Sequence, residues 1–180
     1  MNLSNTGGGG RGSDKGEIIG DVINHGKKKY WGRGLNFSYH VGLQEGENTL
    51  EGQLARLLLR TLSSGSFQAE VFLEEYVKFM RTPGSHNDAY ASTCHRMFFA
   101  NQVKGVPHNQ CADNDGHNTD AIDALTLSIP VIVATVTEEG PSENVRKAAR
   151  EVVALTRKSK VLPVYVDIYA DMVAGVVSGK

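Results

Sequence analysis

The sequence is poor in the features that mark several large classes of protein. Its two cysteines, Cys94 and Cys111, cannot form a disulfide framework, so we expect a reducing, cytoplasmic environment. Nineteen basic and twenty acidic residues leave a formal net charge of -1, which argues against a general binder of nucleic acids or membrane surfaces. The longest nearly apolar run, 127–136, is about half of the roughly 20 residues that span a membrane. The N-terminal residues also lack the basic-then-apolar order of a secretory signal.

The remaining composition is that of one globular domain. With 180 residues and 40% hydrophobic side chains, the chain is long enough for one ordinary core and short for two. Residues 1–16 include four consecutive glycines at 7–10 and offer little apolar surface to offset the entropy lost on ordering. We therefore predict a disordered glycine-rich tail over 1–16 and a single helical domain over 17–180.

Apolar residues recur at helical spacing through most of the predicted domain. We expect helices over about 49–62, 67–80, 88–102, 121–136, 141–158 and 164–178. The fourth is ambiguous, because 129–133 also suits a strand and Pro130 removes a backbone donor from either structure. We choose a helix there because the neighbouring segments are helical. The predicted fold class is all-α, an orthogonal bundle of about six helices.

Each predicted helix has a stripe of residues that should face the core. Asn48 and Glu51 form a plausible capping pair at the start of the first helix. The predicted inward residues are Leu50, Leu54, Leu57, Leu58 and Leu62; Val71, Phe72, Tyr76, Phe79 and Met80; Tyr90, Cys94, Met97 and Phe98; Ile122, Leu125, Ile129, Ile132 and Val133; Val145, Ala149, Val152, Val153 and Thr156; and Tyr165, Tyr169, Met172, Val173 and Val176.

Two polar segments place oxygen-bearing side chains ahead of a predicted helix. The first, 44–49, contains Glu47, Asn48 and Thr49, and such oxygens suit a hard cation such as Mg²⁺. The second, 113–120, is followed by Asp123; on a helix, Asp120 and Asp123 share one face and could meet a common ligand. The structural alternative for both segments is that these residues cap the helix or favour its dipole.

Other metal and nucleophile signatures are incomplete. Segment 113–120 resembles a calcium loop but lacks the glutamate at its twelfth position. Cys94 and His95 are adjacent, which makes joint binding of one tetrahedral zinc ion difficult, and there is no Cys-x-x-Cys pair. The sequence also has no Gly-x-Ser-x-Gly nucleophile elbow.

Five segments follow one another in the order of a known family. Gly-Glu-Asn-Thr at 46–49 leads into the leucine-rich run 50–60, followed by Gly-Ser-Phe at 65–67, 74–80, and a helical run ending in Leu-Thr-Arg at 155–157. Over about 16–180 this resembles the ADP-ribosylglycohydrolase family, especially its J1-crystallin-like branch. In that family a Thr-Asp-Asp-Thr turn precedes a leucine-rich helix, and a later helix ends in Leu-Thr-His.

The resemblance implies an all-α fold with two Mg²⁺ ions at its centre. It implies hydrolysis of the bond between ADP-ribose and its acceptor, so the expected partner is an ADP-ribosylated substrate or ADP-ribose. A metal would polarise the ribose oxygens and orient a water, with Glu47 or its neighbour Glu45 as general base. The implied metal ligands are Glu47, Asn48, Thr49, Asp120 and Asp123.

The chain departs from the family pattern at several of these positions. Gly46, Glu47 and Asn48 stand where the family has Thr, Asp and Asp, and Arg157 stands in place of the helix-ending His. The later motif rich in Asp-Thr-Asp has no counterpart after Val164, so the C-terminal part of the pattern is missing. Two alternatives to a hydrolase therefore stay open: a crystallin-like structural protein and an ADP-ribose-binding module. An incomplete core would also be covered by a partner or by oligomerisation.

Overall fold

The computed structural model describes residues 18–31, 38–63, 65–116 and 118–180, and its regular elements are helical. No strand occurs within these ranges, so the all-α prediction is confirmed. The helices are α1 (Ile18–Asp21), α2 (Leu50–Leu62), α3 (Ala69–Arg81), α4 (Thr93–Val103), α5 (Ala124–Thr135), α6 (Glu143–Ala154) and α7 (Leu162–Ser178). Short 3₁₀ turns cover Lys28–Trp31 and His108–Gln110. The predicted tail over 1–16 lies outside the described residues.

Helix α5 occupies the middle of the helical assembly, in contact with α2, α6 and α7. Its apolar sequence suits a helix that packs against three others, although Ile129 and Val133 on one side of α5 are exposed. Pro130 lies inside α5 and is buried, which confirms the helical interpretation of this segment over the strand. Buried residues from α1 to α7 join one hydrophobic cluster. None of the described helices is both long and apolar enough to cross a membrane.

The amphipathic helices α2 and α6 bury the faces that the sequence predicted. In α2 the buried residues are Leu50, Leu54, Leu57 and Leu58, with Leu62 half-buried. In α6 and just after it they are Val145, Ala149, Val152, Val153 and Thr156. Helix α3 agrees at Phe72, Tyr76 and Met80 and differs at Val71, which is exposed. The 3.6-residue period is a sound guide where one face is clearly polar.

The predicted inward residues of α5 and α7 are only partly correct. Around α5, Ile132 is buried as predicted and Leu125 is half-buried, but Ile122, Ile129 and Val133 are exposed, whereas Ala124, Leu127, Ser128 and Val131 are buried. In α7 the exposed residues are Tyr165, Met172 and Val176, whereas Leu162, Val166, Ala170 and Ala174 are buried. Both helices carry apolar residues around most of their circumference, so the period alone does not select the inward face.

Helix α4 begins at Thr93, five residues later than predicted, because the preceding backbone makes other hydrogen bonds. The carbonyl oxygen of Ala89 accepts from the side chains of Asn24 and Trp31, at 3.0 and 2.8 Å. The amide of Tyr90 donates to the carboxylate of Asp88 at 3.0 Å. These bonds hold 88–92 in an extended course alongside the N-terminal segment.

The start of α2 is capped differently from the predicted pair of Asn48 and Glu51. Thr49 is the N-cap, and its hydroxyl oxygen accepts from the amide of Gly52 at 3.5 Å. The buried carboxylate of Asp88 accepts from the amide of Leu50 at 2.7 Å. The helix start is thus anchored to the extended segment 88–92, which fixes the position of the polar turn before it.

Candidate functional site

A polar pocket of about 190 Å³ lies at the start of α2. Glu47 lies in its wall, where Oε1 accepts from the side-chain amide of Asn87 at 2.6 Å and Oε2 accepts from the backbone amide of Gln44 at 2.8 Å. These hydrogen bonds, that of Gln44 first, lower the pKa of Glu47. Its carboxylate is therefore ionised at neutral pH and exposed to solvent. The pocket is lined by Leu43, Glu47, Asn48, Gln53, Gly84, Ser85, His86 and Asn87.

His86 forms part of the same pocket and is uncharged at neutral pH. Burial lowers its pKa to about 4, and the nearby carboxylate of Asp88 only partly opposes this. Its Nδ1 atom has no hydrogen-bond partner among the described protein atoms. The pocket therefore combines one carboxylate with neutral amide and imidazole groups, a set that can hydrogen-bond the hydroxyl groups of a sugar.

The two predicted aspartates lie at the start of α5 and are engaged there. Asp120 is exposed and accepts a hydrogen bond from the hydroxyl of Ser159. Asp123 pairs with Arg157, whose Nη2 lies 3.0 Å from Oδ2 of the carboxylate. The predicted ligands thus form two sets, one at the start of α2 and the other at the start of α5.

These residues do not fit a site for two Mg²⁺ ions. Magnesium needs near-octahedral oxygen ligands, and the set at α2 offers one carboxylate, since the hydroxyl of Thr49 already caps the helix. At α5 the guanidinium of Arg157 neutralises Asp123. Across the described ranges, no group of three or more His, Cys, Asp or Glu side chains could hold a metal ion.

A second polar centre, the Glu51 cluster, consists of Glu51, Tyr76, Ser92, His95 and Arg157. Glu51 Oε1 accepts from the hydroxyl of Ser92 at 3.1 Å and from Nε2 of His95 at 2.9 Å. The other ring nitrogen of His95, Nδ1, lies 2.7 Å from the hydroxyl of Tyr76. Nη2 of Arg157 lies 3.9 Å from Glu51 Oε1. The cluster therefore joins α2, α3, α4 and the end of α6.

The charges of the Glu51 cluster stabilise one another. Burial alone would raise the pKa of Glu51, but the charge and hydrogen bond of His95, with the charge of Arg157, lower it to about 2. Burial would likewise lower the pKa of His95, but the acidic groups of Cys94, Tyr76 and Glu51 raise it well above its usual value. A protonated imidazole donates from both ring nitrogens, which matches its two partners.

Arg157 extends this cluster to the start of α5. Besides its ion pair with Asp123, its Nη1 donates to the carbonyl oxygen of Thr119 at 3.5 Å. Only 3% of its side chain is exposed. One buried guanidinium thus lies between a carboxylate from α2 and a carboxylate from the turn before α5.

Sequence reasoning missed the role of the Glu51 cluster. The sequence predicts Glu51 as part of a cap of α2, His95 as a zinc ligand at most, and Arg157 as a basic residue at a helix end that departs from a family motif. A usable signal was present, because His95 and the adjacent Arg96 fall within a helical stretch with many apolar residues. Polar side chains at such positions are usually paired. Their partners are far away in sequence, so the sequence does not name them.

No family model matches the chain, and no curated protein or solved structure matches it.

Proposed function

We propose that the protein is an ADP-ribosylglycohydrolase-like hydrolase of low activity, with the corresponding all-α fold, which acts at the pocket before α2. One observation supports this most directly. The segments that carry the family resemblance, the start of α2 and the end of α6, meet in space: Arg157 contacts Glu51 of α2 and Asp123 before α5. Segments that are neighbours in a family's site are expected to be neighbours in the fold of a related chain.

Glu47 is the general base of the proposed reaction. Its carboxylate takes a proton from a water molecule, the water oxygen bonds to the anomeric carbon of the ribose, and the bond from that carbon to the acceptor breaks. The acceptor leaves with a proton from solvent. A base is most effective when its pKa is near the working pH, so the lowered pKa of Glu47 predicts slow turnover.

The neighbouring side chains of the pocket position the sugar. Gln53 and Asn87 have amide groups that can donate to ribose hydroxyl oxygens, and Asn48 also lines the pocket. The pocket volume of about 190 Å³ is below the roughly 300 Å³ at which sites for drug-sized ligands begin. The pocket accordingly takes the ribose, and the rest of the nucleotide lies outside it.

Release of ADP-ribose from an ADP-ribosylated peptide, followed by chromatography, tests this proposal. We expect slow release of ADP-ribose at high protein concentration. Release should be at least about tenfold slower for Glu47→Gln, because the amide keeps the shape of the side chain but cannot act as a general base. Glu45→Gln is the matched control, because Glu45 is exposed in the same turn and does not line the pocket. Release no faster than in buffer would contradict the proposal.

A magnesium titration of the same assay tests the assignment of the predicted ligands. We expect little dependence on Mg²⁺, because Thr49 and Asp123 are engaged within the protein. A steep rise of activity with Mg²⁺ that is lost in Asp123→Asn would show that these residues bind the metal after all.

ADP-ribose binding without cleavage is the second candidate function. It is favoured by the hydrogen bonds of Glu47, which engage both carboxylate oxygens and weaken the carboxylate as a base. Titration calorimetry with ADP-ribose separates the candidates: heat of binding without product release supports a binding module. No heat, and no rise in melting temperature with the ligand, supports the crystallin-like structural alternative.

A further inference from the structure

Helix α7 presents an apolar strip to solvent along most of its length. Within the helix, Tyr165 is 58% exposed, Ile168 54%, Met172 65% and Val176 80%. Their spacing of three and four residues places them on one face, opposite to buried Ala170 and Ala174. We call this surface the α7 strip; it consists of Val161, Val164, Tyr165, Ile168, Met172 and Val176.

All the charged residues of α7 lie on another side of the helix. Asp171 accepts two hydrogen bonds from Arg146 of α6, at 2.9 and 3.1 Å. Asp167 accepts from Arg150 of α6 at 2.6 Å. Both aspartates are thus directed towards α6, and the α7 strip itself carries no formal charge.

The strip is large for a surface that stays in water. Its exposed fractions correspond to roughly 650 Å² of residue surface, the Tyr165 hydroxyl included, which is slightly above the roughly 300–600 Å² of the largest apolar patch of a typical monomer. The residues outside the described ranges offer little to cover it, since their large apolar side chains are Met1, Leu3, Leu35 and Phe37.

We propose that the α7 strip is the interface of a homodimer, in which α7 packs against α7 of a second copy about a two-fold axis. The exposed area of the strip is close to the roughly 800 Å² per partner of a standard stable interface. A two-fold interface needs only one self-complementary patch. An uncharged strip meets this condition, because packing it against itself brings no like charges together.

The charge pattern of α7 disfavours a lipid surface as the occupant. Helices that lie in a membrane interface carry Lys or Arg on the polar face beside the apolar one. The charged residues of α7 are Asp167 and Asp171, both paired with arginines of α6, so this helix offers no lysine or arginine to attract an anionic membrane. A second copy of the chain needs no such attraction.

Sedimentation velocity across the micromolar range tests the homodimer. We expect the wild-type chain to sediment at twice its mass of 19.5 kDa. Ile168→Glu, at the middle of the strip, should weaken association by about a hundredfold or more, because an unpaired carboxylate would be buried. Met172→Glu should act in the same way. Both residues are exposed in the single chain, so the circular dichroism of the variants should stay helical.

Val103→Glu is the matched control, because Val103 is 57% exposed at the end of α4 and lies outside the strip. This variant should remain a dimer. A wild-type chain that is monomeric at every concentration would overturn the proposal, as would variants of Ile168 and Met172 that still dimerise. Wild-type binding to phosphatidylserine vesicles, lost in Ile168→Glu and without dimerisation, would identify a membrane surface instead and overturn it too.

Discussion

Glu51 holds together three helices through a single carboxylate oxygen. It accepts from Ser92 and His95 and lies near Arg157, while 19% of its side chain is exposed. A carboxylate that gives up most of its water is stable only when charged partners replace that water. In this cluster His95 and Arg157 supply the positive charge, and their own partners, Tyr76 and Asp123, fix their orientation.

We expect Glu51→Gln to lower the free energy of unfolding at pH 7 by about 2–4 kcal/mol, because the charge of His95 and Arg157 would lose its compensation. The folded pKa of Glu51, about 2, lies below its ordinary value of 4.5. Its contribution is therefore fully present above pH 4.5 and is lost as the pH falls towards 2. Urea unfolding from neutral to acid pH should show a shallower acid loss in the variant.

Glu75→Gln is the control for this prediction. Glu75 pairs only loosely with Lys78 on the surface of α3, at 3.6 Å, and such pairs contribute about 0–1 kcal/mol. The assigned role of Glu51 would be refuted by equal losses of unfolding free energy in the two variants. It would also be refuted if the free energy of unfolding of Glu51→Gln fell as steeply with falling pH as that of the wild-type chain.

The sequence predicts the buried face of a helix well only when the opposite face is polar. Amphipathic α2 and α6 were assigned the correct inward faces, down to Leu54 and Val152. Apolar α5 and α7 were assigned faces that are only partly correct, because several rotations about the helix axis bury a similar apolar area. The choice is made by small residues such as Ala170 and Ala174, which allow close approach of a neighbouring helix.

The candidate site was predictable to a smaller extent. The turn with Glu47 was located from its sequence, and the structure places it at a pocket. The Glu51 cluster was not found, because the partners of Glu51 lie in other parts of the sequence. Ser92 and His95 are 41 and 44 positions away, at the start of α4 and within it. Tyr76 lies in α3 and Arg157 follows α6. Periodicity describes one helix at a time and does not state which polar residues of different helices meet.

Ala174→Leu tests which face of α7 is buried. Ala174 is fully buried, so the larger side chain should overfill the interior and cost about 1–3 kcal/mol in urea unfolding. Val176→Leu is the control on the exposed face and should change the free energy of unfolding by less than about 0.5 kcal/mol. A larger loss of unfolding free energy in Val176→Leu than in Ala174→Leu would indicate that the face predicted from the sequence is the buried one.

At the scale of the whole molecule, the segment before α2 is tied to the helices that follow. The indole N–H of Trp31 donates to the carbonyl oxygen of Ala89, and its ring stacks on Tyr90 with centroids 5.9 Å apart. The guanidinium of buried Arg96 lies 5.2 Å from the Trp31 ring centre. These contacts connect the N-terminal part to the segment before α4 and to α4 itself.

The unfolding of this connection can be followed directly, because Trp31 is the single tryptophan of the chain. We expect Trp31 fluorescence and helical circular dichroism to give the same urea midpoint, as in a two-state transition. Trp31→Phe is the control, since it should remove the fluorescence signal and leave one dichroism transition at a lower midpoint. Two separate midpoints in the wild-type chain would indicate two independently folding parts.

The bond between Asp88 and the first amide of α2 also affects how a nucleotide could be held. The N-terminus of a helix is a common binding site for phosphate groups, since its free amides and dipole attract anions. In this protein the buried carboxylate of Asp88 already accepts a hydrogen bond from the amide of Leu50 at 2.7 Å, and its negative charge offsets the attraction for anions. If the proposed binding of ADP-ribose holds, its diphosphate would gain little from this end of α2, and recognition would depend on the sugar and the base.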